Sequence, residues 1–345
     1  MGKFIKKFEN HSSYSAFTRT EKFIKPNVSL CVQENEVHYN PYVHDYSQDY
    51  LTFKALEDGT FQLSTNAVSY SLDNGETWTS LAAATSTPTV TAGSKIMWKG
   101  TLSPTTNKGI GTFSSTAQFD VEGNPMSLLY GDDFAGQNDL TGKNYAFSKL
   151  FNNCSKLINV EKMSLPATTL ASYCYSYMFK GCTSLTTAPE LPATTLAGSC
   201  YYGMFKGCTG LTTAPELPAT TLAGSCYSYM FNDCTGLTTA PELPATTLAN
   251  YCYWYMFNGC TGLTTAPELP ATTLADNCYD TMFSGCTSLN YIKAMFTTEP
   301  NITYTSNWVS GVASTGTFVK NSAAQWNVTG VNGIPTNWTV ETASA

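Results

Sequence analysis

The sequence predicts a multidomain α+β protein built, in order, from an N-terminal anchor arm, a small β-sandwich, a solenoid of 26-residue repeats and a C-terminal cap. Three observations predict it. The heptapeptide Leu-Pro-Ala-Thr-Thr-Leu-Ala recurs at a fixed interval, short alternating apolar runs precede it, and basic residues concentrate at the start of the chain. A fixed period of about 20–50 residues is typical of stacked repeat architectures. We expect segment boundaries at 1–45, 46–136, 137–294 and 295–345.

The arm is basic and aromatic, whereas the rest of the chain is acidic. Residues 1–25 carry a net charge of +4, while the whole chain of 345 residues carries −7, so the remainder carries −11. Aromatic side chains that interleave with these charges require burial against a partner. We expect residues 1–45 to dock on another protein and to become ordered there, with a solvated terminus as the alternative. The docking candidates are Phe4, Phe8, Tyr14, Phe17 and Phe23.

Residues 46–136 have the pattern of short β-strands. Asp58-Gly59 and Asn74-Gly75 are dipeptides that favour tight hairpins, and the apolar runs around them have the spacing of a sandwich.

The repeat region follows a degenerate first copy near Leu150. Full copies begin at Leu165, Leu191, Leu217, Leu243 and Leu269. Within the first of them, Leu170, Cys174 and Met178 recur at steps of four, which predicts an α-helix that begins after Thr168 or Thr169 and is followed by an extended segment. One such unit cannot bury its apolar face alone, so the copies are expected to stack about 4.8 Å apart.

Cysteine is concentrated in the repeats, which hold eleven of the twelve in the chain. The three histidines all lie within the first 44 residues, and the eight-residue spacing of the cysteine pairs is not that of a zinc site. We therefore expect reduced, buried thiols that pack as small apolar groups, rather than disulfides or metal ligands. A second ladder, Glu190, Glu216, Glu242 and Glu268, is interpreted as a solvated edge, with a row of calcium ions as the alternative. No cofactor and no metal are predicted.

The repeat resembles the BspA-type leucine-rich repeat over residues 137–294. Met178-Phe179, Cys182, Leu185 and Pro189 carry the resemblance, although Ala188 stands where that family usually has a larger aliphatic side chain. The resemblance implies a leucine-rich-repeat solenoid.

A second resemblance covers about 40 residues at the start of the chain. Lys7-Phe8-Glu9, Pro26 to Cys31 and Val37 to Pro41 look like the leader of virion proteins of crAss-like and related phages of gut Bacteroidales. The resemblance implies an attachment role, with virion proteins of the capsid or tail as partners of the arm and the virion as the location of a chain made in the host cytoplasm. The first residues lack a signal-peptide pattern and no apolar run has membrane-spanning length, so neither export nor membrane insertion is expected.

The expected function is that of a non-enzymatic phage attachment protein, a head or tail fibre that binds a host-surface glycan or receptor and forms a homo-oligomer. A structural capsid decoration or spacer is the alternative, and a bacterial surface adhesin is third. Arg19 is the single arginine, which argues against nucleic acid as a partner. Asp132, Asp133 and Glu161 are the densest acids near the repeats, but they do not form the paired constellation of a glycosidase.

Differences between the repeat copies predict where a ligand binds. The extended part of the copy is unchanged wherever it occurs in full, whereas the variable positions fall on the solvent face of the predicted helix. Aromatic side chains on such a face suit stacking on sugars or anchoring of a protein. Trp254 and Tyr255 are expected at the centre of the site; the alternative is that these tyrosines only cover neighbouring helices. The candidates are Tyr173, Tyr177, Tyr202, Tyr229, Tyr251, Trp254 and Tyr255.

Overall fold

A computed structural model describes residues 30–33, 36–39 and 44–343 of the chain. It divides into two compact units between Asp45 and Tyr46. In the first unit, β1 (Leu30–Gln33) and β2 (Glu36–Tyr39) pair antiparallel. The predicted docking side chains Phe4, Phe8, Tyr14, Phe17 and Phe23 lie outside the described residues.

The second unit begins with a β-rich region of two sheets. Its strands are β3 (Leu51–Ala55), β4 (Phe61–Leu63), β5 (Val68–Ser71), β6 (Thr79–Leu81), β7 (Lys95–Lys99), β8 (Phe113–Ser115), β9 (Phe119–Gly123) and β10 (Leu157–Met163). Six of them form one sheet in the order β10-β9-β3-β7-β5-β6, and β4 pairs with β8 in a second sheet. The buried Phe53 ring joins the two sheets, because its centroid lies 5.4 Å from that of Phe61 and 4.8 Å from that of Phe113.

The two predicted hairpin turns have different outcomes. Asn74 and Gly75 both have positive φ, at 58° and 90°, and connect the antiparallel strands β5 and β6. The hairpin predicted at Asp58-Gly59 is wrong, since β3 pairs with β7 and β9 while β4 pairs with β8. Glycine is needed at position 59 because Ala117 packs closely against its Cα; a Cβ there would lie 2.5 Å from the Cβ of Ala117.

The repeats are joined to the β-rich region through β10. This strand lies within the segment expected to belong to the repeats, yet it runs parallel to β9 and forms the edge of the six-stranded sheet. The backbone N–H of Phe113 also donates to the carbonyl of Leu150 in the degenerate first copy, at 2.7 Å. Backbone pairing therefore continues across the boundary expected near residue 136.

The α-helix predicted in each repeat is wrong. Tyr173 and Tyr177 have φ of 58° and 56°, and Gly181 has φ of 72°, so every fourth residue is left-handed and excluded from an α-helix. The N–H of Cys174 donates to the carbonyl of Ala171, three residues earlier, and that turn has its positive φ at the third residue, as a type II turn does. Residues 171–182 and their equivalents, here called the turn segments, are spirals of successive turns. Their step of four is a turn period rather than a helical one.

Consecutive turn segments are bonded to each other through alternate residues. The N–H groups of Tyr175, Tyr177 and Phe179 donate to carbonyls 25 residues later, at 2.9, 2.8 and 2.9 Å. The intervening N–H groups of Ser176 and Met178 instead donate three residues back within their own segment. Because buried backbone groups need partners, this alternation satisfies each segment only when a neighbouring copy lies beside it.

Side chains stack in the same register inside the repeats. The buried tyrosines Tyr175, Tyr201, Tyr227, Tyr253 and Tyr279 have centroids 5.7 to 6.0 Å apart. The parallel phenylalanine row, Phe179, Phe205, Phe231, Phe257 and Phe283, has spacings of 5.4 to 5.8 Å. The eleven repeat cysteines are free and buried, as expected. The Sγ–H of Cys208 donates to the carbonyl of Phe179, and the equivalent bond recurs in each following copy.

The last turn segment is covered by residues that follow the repeats. The Trp308 indole donates to the carbonyl of Gly333 at 2.9 Å, and the Val309 N–H donates to the carbonyl of Val331 at 3.3 Å. Here β11 (Tyr291–Ala294), β12 (Thr317–Lys320) and β13 (Thr339–Thr342) form a parallel sheet.

Regular secondary structure in the described residues is mostly β-strand in several sheets. The α-helix α1 (Ser127–Tyr130) and the 3-10 helices at Tyr46–Gln48 and Gly131–Asp133 are single turns. Within the part of the chain that is described, no helix has the length and apolar character needed to cross a membrane.

Candidate functional site

Six of the seven predicted ligand residues form one continuous aromatic surface across four consecutive copies. We call it the aromatic band, and it consists of Tyr177, Tyr202, Tyr229, Tyr251, Trp254 and Tyr255. Going along the stack, the Tyr202 centroid lies 5.3 Å from that of Tyr177 and 5.4 Å from that of Tyr229. Such separations are those of favourable ring contacts.

The fourth copy contributes the densest part of the band. The Tyr255 ring stacks on Tyr229 with centroids 4.7 Å apart and an interplanar angle of 13°. Trp254 meets Tyr229, Tyr251 and Tyr255 edge to face, at 5.0, 5.5 and 5.1 Å. Trp254 and Tyr255 therefore lie at the junction of the ring contacts.

Local backbone geometry explains which way these rings point. Tyr177, Tyr229 and Tyr255 occupy the same position of their copies, each with φ between 56° and 59°. Gly203 occupies that position in the second copy, and its aromatic neighbour Tyr202 precedes it. The Tyr177 ring occupies the space above Gly203, where a Cβ would lie 2.6 Å from it.

Tyr173 is separate from the band. It is 38% exposed and stacks on Tyr145 of the degenerate first copy, with centroids 4.8 Å apart and planes inclined by 7°. Tyr145 was not among the predicted residues, because the degenerate copy lacks the heptapeptide that aligns the others.

Burial affects the ionisation of three tyrosines in the band. Desolvation raises the pKa of Tyr177, Tyr202 and Tyr229 further above neutral pH, and the neutral phenols can donate hydrogen bonds. Tyr251 is 40% exposed, whereas Trp254 is partly buried. The indole N–H of Trp254 is buried and has no hydrogen-bond partner among the described residues.

Two lysines border the band and were missed in the sequence. Lys180 has its Nζ 5.1 Å from the Tyr177 centroid, and Lys206 has its Nζ 4.8 Å from the Tyr229 centroid. Both separations fall within the range of cation–π attraction. Their equal position two residues before the second cysteine of successive copies is the signal that could have identified them.

Asp132, Asp133 and Glu161, the acidic residues considered for catalysis, do not form one site. Asp132 accepts hydrogen bonds from the Tyr50 hydroxyl at 2.7 Å and from the Lys99 ammonium at 2.7 Å, and these bonds lower the pKa of its carboxyl group. Asp133 follows it in a 3-10 helix. Glu161 lies elsewhere, at a groove of about 220 Å³ beside β9 and β10 that it shares with Asp120, Glu122 and three lysines.

The glutamate ladder is exposed along its length. Glu268 forms an ion pair with Lys293 at 3.0 Å. Among the residues that the structure describes, no three histidine, cysteine or carboxylate side chains are grouped so that they could hold a metal ion.

Comparison of this chain with known proteins yields no match to a family model, a curated protein or a solved structure. The resemblances drawn from the sequence therefore stay predictions.

Proposed function

We propose that this chain is a non-enzymatic attachment protein of a phage virion, a head or tail fibre whose aromatic band binds a host-surface glycan or receptor. The proposal includes a leucine-rich-repeat-like solenoid for the repeats and docking of residues 1–45 on virion proteins of the capsid or tail. Such a protein is made in the host cytoplasm and carried on the virion. Several copies on one particle multiply weak contacts through their high effective concentration.

The observation that carries the proposal is the continuity of the aromatic band. Rings from four successive copies touch one another along the stack. They occupy repeat positions at which the amino acid varies from copy to copy. Aromatic side chains bury large areas at small cost in conformational entropy, which makes them frequent anchors of ligands and partners. The phage assignment rests on the sequence resemblance at the start of the chain.

A second candidate, a structural spacer or capsid decoration without a host ligand, is favoured by the regularity of the stack. Each turn segment repeats the same backbone bonds and buried ring stacks as the one before it, so added copies lengthen the body without changing its construction.

Binding of the labelled full-length chain to a panel of gut Bacteroidales strains separates the two candidates. The double variant Trp254→Ala/Tyr255→Ala should lose at least about ten-fold in affinity for a strain that the wild type binds. Tyr145→Ala/Tyr173→Ala is the matched control, because it removes a stacked pair of partly exposed rings outside the aromatic band, each with positive φ as at Tyr255. Equal binding by the wild type and the first variant contradicts the proposal, and a wild type that binds no strain favours the spacer.

A further inference from the structure

We propose that the ligand of the aromatic band is an acidic polysaccharide, with sugar carboxylates bound by Lys180 and Lys206 beside the rings. The inference rests on the proposed function and specifies the class of its ligand. Its basis is the placement of two cations along the stack.

Lys180 and Lys206 lie on consecutive copies. The N–H of Gly181, the residue after Lys180, donates to the carbonyl of Lys206 at 2.7 Å, so the two backbones are hydrogen-bonded neighbours. Each ammonium group is placed over a ring of the band, at Tyr177 and at Tyr229. Two positive charges thus border the same aromatic surface, one copy apart.

Neither lysine forms an ion pair with a residue in the described part of the chain. The ion pairs there join Lys95 to Glu122, Lys99 to Asp132 and Lys293 to Glu268. In the third copy, Asp233 stands one residue after the position that Lys180 and Lys206 hold in their own copies. Its Oδ1 lies 2.5 Å from where a Cβ of Gly259 would be, so its carboxylate is directed toward the fourth copy and away from Lys206.

The later copies differ at the same position. Asn232 donates to the carbonyl of Asn258, and Asn258 donates to the carbonyl of Ser284, at 2.9 and 2.8 Å. Each of these side-chain amides donates to a carbonyl of the next copy, whereas the lysine ammonium groups make no hydrogen bond to a described residue. The residues at this repeat position are therefore cationic only in the first two copies, beside Tyr177, Tyr202 and Tyr229.

This combination fits a carboxylated sugar. A pyranose ring presents an apolar face to an aromatic ring while its carboxylate reaches an ammonium group at the ring edge. A single-stranded nucleic acid also combines bases with charge, but it needs cations that follow a continuous phosphate backbone, and this row ends after two lysines.

The test uses hyaluronan, polygalacturonate and polysialic acid, each beside its carboxyl-reduced neutral counterpart, together with neutral glucans, mannan and single-stranded DNA. The wild-type chain should bind at least one acidic form, and bind it about ten-fold more tightly than its neutral counterpart. Lys180→Gln/Lys206→Gln should weaken that binding about five- to ten-fold and reduce its dependence on salt. Lys143→Gln/Lys162→Gln removes the same charge from two other lysines over tyrosine rings and should have no effect.

Four results would overturn the inference: equal binding of acidic and reduced forms, binding of neutral glycans or single-stranded DNA alone, no loss in the Lys180/Lys206 variant, or no binding of any glycan. If that variant binds normally while Trp254→Ala/Tyr255→Ala does not, the proposed function stands and only the charge requirement fails. If no glycan binds, the inference fails, and the cell-binding experiment decides the proposed function separately.

Discussion

The ring of Tyr177 lies over Gly203 of the next copy, at the point where a Cβ would come within 2.6 Å of the ring carbon Cε1. Gly203 has φ of 58° and takes the place that Tyr177, Tyr229 and Tyr255 occupy in other copies. The absent side chain leaves room for Tyr177 to lean along the stack and meet Tyr202. This pair begins the aromatic band.

Gly203→Ala should therefore destabilise the protein for two reasons. The left-handed conformation costs a residue with a Cβ about 1 kcal/mol, and displacement of the Tyr177 ring adds about 1–2 kcal/mol. Gly93→Ala is the control, since Gly93 has φ of 82° and a Cβ there would meet nothing within 4 Å. Urea unfolding should show a larger loss for Gly203→Ala; equal losses would mean that the Tyr177 ring moves without cost.

The repeat cysteines should be unreactive in the folded protein. Burial raises the pKa of the Cys154 thiol to about 11 and that of Cys174 and Cys226 to about 12, so the reactive thiolate is scarce at pH 8. Titration with an aromatic disulfide reagent should find the eleven repeat thiols protected in the native state and reactive in guanidinium. Rapid native reaction of several thiols would show that the stack opens readily.

Removal of one whole repeat should preserve the fold. Deletion of residues 217–242 joins Glu216 to Leu243 and restores the sequence of an ordinary junction, so each turn segment keeps a bonded neighbour. Deletion of residues 217–229 removes half a copy and leaves buried N–H and carbonyl groups without partners. Circular dichroism and thermal unfolding should show a cooperative transition for the first variant alone. Similar melting of both would contradict the stacking described for the repeats.

The β5–β6 connection should lose stability in acid. Asp73 accepts hydrogen bonds from the Ser71 hydroxyl at 2.7 Å and from the Thr77 N–H at 2.9 Å, and these bonds lower its pKa from 3.8 to about 2. A lowered pKa means that the ionised carboxylate stabilises the folded state above about pH 4 and that this contribution disappears as the pH falls to about 2.

Asp73→Asn should accordingly speed amide exchange at Thr77 near pH 5 and have a smaller effect near pH 2.5. Asp133→Asn, which removes a carboxylate outside the β5–β6 connection, serves as the control for a general loss of negative charge. An effect of Asp73→Asn that is the same at both pH values would show that the carboxylate charge is not involved.

Much of the repeat core follows from the sequence alone. The period of 26 residues and the recurring Cys174, Met178, Phe179 and Leu185 identify side chains that are all fully buried. Apolar residues that return at one interval must share one face, whatever backbone conformation carries them. The same reasoning placed the repeat cysteines in the core, and the turn preference of the dipeptide found the connection at Asn74-Gly75.

The backbone of the turn segments was decided by tertiary structure. A step of four residues suits both an α-helix and a succession of four-residue turns, and the local pattern does not distinguish them. Turns prevail here because alternate N–H groups, such as those of Tyr175 and Phe179, find acceptors in the next copy.

The candidate site, too, was predicted in part from the sequence and decided in part by contacts between copies. Variation between copies identified the aromatic positions, but which rings touch depends on neighbours 25 to 28 residues away. Tyr177 reaches Tyr202 because Gly203 leaves space, whereas Tyr173 stacks on Tyr145 instead. Lys206 joins the band through stacking of the copies, which brings its ammonium group to Tyr229, 23 residues later in the chain, whereas Lys180 lies over Tyr177 of its own copy. The sequence by itself determined which side chains are buried and which vary, and the hydrogen bonds between copies decided which of the variable ones meet.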